Sequence, residues 1–81
     1  MRYFFNYSDG VSMRDQVGQE LPDHNTARIK ASEYAAQFMR DHPTIIWEGS
    51  NFRVEVSDRA GLILLTIIIV GVEASAVRDQ H

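Results

Sequence analysis

Hydrophobic and polar positions alternate in Arg2 to Tyr7 and in Phe52 to Ser57, and recur at helical spacing between them. In Arg2 to Tyr7, Tyr3, Phe5 and Tyr7 fall on one face and Arg2, Phe4 and Asn6 on the other, the period of a strand. Ser8-Asp9-Gly10 is a turn signal, because Asp-Gly supplies the positive φ of a tight hairpin. Val11 to Asp15 then reads as a short second strand at an edge, and Gly18 permits another tight turn. From Asp23 the period lengthens. Ala27, Ala31, Tyr34, Ala35 and Phe38 recur every three or four residues, flanked by Ile29 and Met39, with Arg28, Lys30, Glu33, Gln37 and Arg40 elsewhere. That is an amphipathic helix with one buried face. Pro22 and Asp23 mark its start, Asp23 as the N-cap, and His42-Pro43 marks its stop. Pro43 to Asn51 connects, with Ile45, Ile46 and Trp47 against the domain edge. Phe52 to Ser57 alternates again, Asp58 to Gly61 is a hairpin loop, and Leu62 to about Val70 is the last strand.

The order β-β-α-β-β predicts an α+β fold: a four-stranded, mainly antiparallel sheet with one helix packed on one face. Residues 1–70 form the domain, and residues 71–81 are a C-terminal tail that loses the pattern. The last strand is apolar on both faces, which predicts a central position beside the first strand. A four-residue loop would pair Val56 with Ile63, Val54 with Leu65 and Phe52 with Ile67. Leu62, Leu64, Thr66 and Ile68 then face away from the helix, beside Phe4, Arg53, Glu55 and Ser57. A three-residue loop with a bulge at Gly61 would swap the rows of the last strand. The four-residue loop is preferred because it sends Thr66 outward. Either way one row of large aliphatics lacks a covering helix, and such a stripe in a small domain marks an interface. The expected interface is Phe4, Leu62, Leu64, Thr66 and Ile68.

Composition narrows the classes. A chain of 81 residues holds one small domain, and 44% hydrophobic residues suffice for a core. Acidic residues outnumber basic ones, 11 to 8, which argues against a nucleic-acid partner whose phosphates need neutralising. There is no cysteine, hence no disulfide framework and no thiolate zinc site. Leu62 to Val72 is the most apolar run, but its eleven residues fall short of the about 20 of a spanning helix. No membrane association and a cytoplasmic location are expected.

The densest chemistry is Asp15, Glu20, Asp23 and His24. Their spacing does not match a calcium loop, and a helix cap with a polar turn explains each of them. His24, His42 and His81 share no metal-ligand spacing, no nucleophile elbow surrounds any serine, and the glycines are scattered singly. No catalytic residue, metal or cofactor is expected.

Arg2-Tyr3-Phe4-Phe5, Asp9-Gly10, Asp15-Gln16-Val17-Gly18-Gln19-Glu20-Leu21-Pro22-Asp23, the Ala-rich stretch Ala27 to Ala36, Val54-Glu55-Val56, Asp58-Arg59-Ala60-Gly61 and Leu64-Leu65-Thr66 stand in order along the chain. In these the chain resembles a family of short, uncharacterised bacterial proteins, a domain of unknown function, over about Met1 to Ile69. The resemblance implies a stand-alone cytoplasmic α+β domain and lends no catalytic residues. A looser similarity is to antitoxin-type small domains, whose helix start also follows Leu-Pro, although no DNA-binding segment is expected after Gly71. The first functional reading is a non-catalytic module that homodimerises or binds a protein through the outer sheet face. The alternatives are an antitoxin-like regulatory domain with a protein partner and, last, a small enzyme with an acidic site between Asp15 and His24.

Overall fold

A computed structural model describes residues 1–8, 12–48 and 51–78. Strands β1 (Arg2–Ser8), β2 (Ser12–Met13) and β3 (Gln19–Glu20) precede helix α1 (His24–Asp41). A 3-10 turn (Ile45–Trp47), strands β4 (Phe52–Ser57) and β5 (Ile63–Ile69) and a short helix α2 (Ser75–Arg78) follow. The sheet is antiparallel in the order β2-β1-β4-β5, with β3 pairing the start of β1. The predicted Asp9-Gly10 turn and Val11 lie outside the described residues.

The helix forms where the period predicts. Asp23 caps it, its Oδ1 accepting from the Thr26 N–H at 2.7 Å and the Thr26 hydroxyl at 2.7 Å. At the other end the His42 N–H donates to the Phe38 carbonyl at 2.9 Å, and Pro43 stops the chain from continuing. Ala27, Ala31 and Ala35 are buried one turn apart, so the helix backbone can approach the sheet closely. Beneath them Phe52, Val54 and Val56 of β4 are 0% exposed, which makes this strand the centre of the core. Each such side chain stabilises the fold by about 1.5–3 kcal/mol through burial.

Aromatic rings close the sides of this layer. Phe38 stacks on Phe52 with centroids 4.9 Å apart and on Tyr7 at 5.1 Å, while Tyr34 meets Phe5 edge-on at 5.0 Å. Tyr3, Phe5 and Tyr7 therefore point at the helix, as the alternation predicts, and the aromatic strand is core.

The position of β5 corrects the sequence expectation. It lies at the edge, beside β4 alone, and β4 is the strand next to β1. The local hairpin puts β5 against β4, and the helical connection returns β4 against β1. The two-sided apolar pattern of β5 therefore does not reflect a central position. One row packs under α1 and the other is left open.

The pairing register is also corrected. The loop is the three-residue kind: the Asp58 N–H donates to the Leu62 carbonyl at 3.0 Å, and Gly61 has φ +90°. By itself this would turn Thr66 toward the helix. A β-bulge then shifts the pairing from Ser57–Ile63 to Val56–Leu65, Val54–Ile67 and Phe52–Ile69. Loop and bulge offset one another, so Leu65, Ile67 and Ile69 pack on the core while Thr66 and Ile68 face out. The turn glycine and the hydrophobic pattern demand opposite parities, and the extra residue of the bulge reconciles them.

Candidate functional site

The acidic segment that looked most chemical is taken up by architecture. Strand β1 is paired at its start by β3 and at its end by β2, which leaves its middle uncovered on that side. Asp15 fills the gap. Its Oδ2 accepts from the Phe5 N–H at 3.2 Å, and its Oδ1 accepts from the Val17 and Gly18 N–H groups at 2.9 and 3.0 Å. Its own N–H donates to Asn6 Oδ1 at 3.0 Å, and Asn6 Nδ2 donates on to the Glu55 carbonyl and Ser57 Oγ. Burial pushes the Asp15 carboxyl up, but the N–H groups of Gly18, Val17 and Phe5 together with the Arg2 charge outweigh it, and the net direction is down.

The neighbouring acids are engaged separately. Glu20 meets the N-terminal ammonium at 2.9 Å and Arg2 at 3.7 Å, and the ammonium hydrogen bond lowers its pKa. Asp23 is the helix cap, lowered by the Thr26 hydroxyl and amide. His24 stands exposed at the helix start. Asp15, Glu20, Asp23 and His24 thus do not converge, and among the described residues no cluster of three or more His, Asp or Glu could hold a metal ion. Arg2 holds the turn from the other side, donating to the Val17 carbonyl at 2.7 Å and the Gly18 carbonyl at 3.3 Å.

Between β1 and α1 lies an open groove lined by Phe5, Tyr7, Met13, Arg14, Asp15, Gln19 and Tyr34. Gln19 Nε2 donates to the Tyr34 hydroxyl there. The Tyr7 hydroxyl is pushed up by burial first, then by Tyr34 and Asp15. Gln19 and Tyr34 are thus tied to one another and Asp15 to backbone, along the seam between β1 and the helix.

The opposite side of the molecule differs. Of the predicted interface residues, Thr66 and Ile68 face outward in β5, and Ile68 is 59% exposed. Leu62 is exposed in the loop before the strand. Leu64 leaves the row: it sits in the bulge and packs against the core. Ile63, expected inward, replaces it at 54% exposure, opposite Ser57. Phe4 is on this face but half-covered, because the Gly18 turn lies against its ring. The aliphatic surface is therefore Leu62, Ile63 and Ile68, continued by Val70 and Val72 beyond the strand.

The backbone of β5 adds what side-chain patterns could not show. Phe5 turns its N–H away from β4, toward Asp15, so Phe5–Val56 is a non-hydrogen-bonded pair and Asn6–Glu55 a bonded one. Val54 and Val56 then turn their backbone groups to β5, and Leu65, Ile67 and Ile69 answer them. The Asp58 N–H bonding to Leu62 follows the same alternation. Thr66 and Ile68 consequently point N–H and C=O at the free edge. No strand of the described residues pairs there, and no charge or proline lies between Leu62 and Val72. Exposed edges are ordinarily blunted by such residues, by bulges, or by short strands such as β2 and β3 at the other edge; the bulge of β5 lies at its start, at Leu64, and leaves Leu65 to Ile69 in regular register.

Among the described residues no helix is long and apolar enough to cross a membrane. No curated protein matches the chain. No solved structure matches it either. A family model described as Domain of unknown function (DUF6894) matches residues 2–70, nearly the whole sheet-and-helix unit, and the chain belongs to that family.

Proposed function

We propose that the protein is a non-catalytic interaction module of the cytoplasm that self-associates through the β5 side of its sheet. The observation that carries this reading is the strand itself. It is seven residues long, uncharged, unpaired along its backbone edge among the described residues, and lined outside by Ile63 and Ile68. Water contact along such a strand is costly at about 25 cal/mol for each Å² of apolar surface, and a second surface removes that cost. Asp15, Glu20 and Asp23 support the non-catalytic half of the reading, since each holds backbone or the chain terminus.

The test is a pair of charge substitutions read by light scattering behind a sizing column. Ile63→Lys with Ile68→Lys should give monomer, while Arg53→Ser with Glu55→Ser should keep the wild-type mass. The wild-type mass persisting in the first pair would contradict the proposal.

A further inference from the structure

Resting on the self-association reading, we infer that the second copy joins edge to edge, β5 against β5, antiparallel about a two-fold axis that passes between the two Thr66 residues. Three observations select this arrangement over face-to-face packing of the outer rows.

The first is hydrogen bonding. Thr66 and Ile68 present N–H and C=O outward on an edge that nothing among the described residues covers. A second copy of the same strand, rotated by two-fold symmetry, offers the matching donors and acceptors. Thr66 then exchanges both backbone bonds with Thr66 of the second copy.

The second is side-chain register. With the axis at Thr66 the hydroxyls meet across the strands, a favourable cross-strand pair. On the helix side Leu65 comes beside Ile67 of the second copy. On the outer side the exposed Ile68 comes to the end of the second strand where Ile63 is exposed. Moving the axis to Ile67 or Ile68 sets Thr66 against an aliphatic or past the strand's end. It also shortens the overlap of strands that run from Ile63 to Ile69.

The third is charge. The strand is neutral, with Arg59 in the loop before it and Glu73 in the segment after it. Asp58, the other charge in that loop, keeps its negative charge while accepting the Leu62 N–H at 2.9 Å, so it offsets Arg59 and leaves that end without net charge. Antiparallel copies keep the two Glu73 residues at opposite ends of the paired strands, whereas parallel copies would set them side by side. The product is one sheet running through both copies with both α1 helices on the same face.

Cysteine cross-linking reads the register, because the chain has no cysteine of its own. In a hydrogen-bonded antiparallel pair the Cα atoms are about 5.5 Å apart, inside the disulfide range of about 4.4–6.8 Å. Thr66→Cys under mild oxidation should shift to a disulfide-linked dimer well ahead of Ile67→Cys, Ile68→Cys and Glu55→Cys. A second measurement uses the unmodified chain: exchange of the Thr66 and Ile68 amides should slow sharply as concentration rises. Faster cross-linking at Ile67 or Ile68 overturns the register. Fast exchange of the Thr66 and Ile68 amides in a sample with dimer mass overturns edge pairing and leaves self-association standing. Monomer mass at every concentration overturns both.

Discussion

The carboxylate of Asp15 accepts the N–H of Phe5 at 3.2 Å, and so occupies the gap in the sheet edge between β2 and β3. A side chain does there what a neighbouring strand would do. Replacing it by alanine leaves the amides of Phe5, Val17 and Gly18 without their partner, and an amide bond to a charged group is worth about 1.5–3 kcal/mol. Asp15→Ala should lower the stability measured by urea unfolding by about 2 kcal/mol. Asp15→Asn, which keeps an acceptor oxygen, should cost less. Equal stability of Asp15→Ala and wild type would show that the gap closes without the carboxylate.

Acid unfolding follows from the same hydrogen bonds. The pKa values of Asp15, Glu20 and Asp23 all lie below their ordinary range in the folded chain. Between those lowered values and the ordinary carboxylate pKa of about 4, the unfolded chain binds protons that the folded chain does not. Stability therefore rises with pH across that window, is fully present above it, and is lost as pH falls through the lowered values. Urea midpoints measured through the acid range should fall in this way, and Asp15→Asn should flatten the slope. An unchanged slope in that variant would contradict the role given to Asp15.

Tyr7 acts at the other extreme. Burial raises its pKa, with help from Tyr34 and Asp15, so the folded chain holds this proton more tightly than the unfolded one. The contribution is present below the ordinary tyrosine value of about 10 and is lost as pH rises through the raised value. Tyr7→Phe should therefore unfold less steeply in alkali, as followed by circular dichroism.

Gly18 and Gly61 both have positive φ, at +74° and +90°, but their surroundings differ. A Cβ on Gly18 would lie 2.8 Å from the Phe4 ring and 3.0 Å from the Tyr3 carbonyl oxygen, and one on Gly61 would meet nothing within 4 Å. Gly61→Ala should cost about 1–2 kcal/mol, the price of the left-handed conformation alone. Gly18→Ala should cost distinctly more, and comparison of thermal midpoints checks the order.

The helix, its cap and the two central strands were legible in the sequence because each follows from local spacing: alanines one turn apart, Asp23 before Thr26, and Phe52, Val54 and Val56 alternating. The outward direction of Thr66 was also legible, although the loop that leads to it was misjudged and the bulge restores the parity. Four features were not. The edge position of β5 depends on which strand the helical connection returns to, and an apolar pattern does not record that. Strand β3 has two residues, too few to show a period. Asp15 bridges to Phe5 ten residues away, and neither residue carries a local signal of the other. The open edge also lay beyond the pattern, because side-chain alternation says nothing of where backbone N–H groups point.

Sedimentation equilibrium over a wide concentration range tests the central claim, self-association through β5, most directly. The fitted mass should approach twice the 9.2 kDa of the chain at high concentration and fall toward 9.2 kDa on dilution. A mass of 9.2 kDa at every concentration would contradict it.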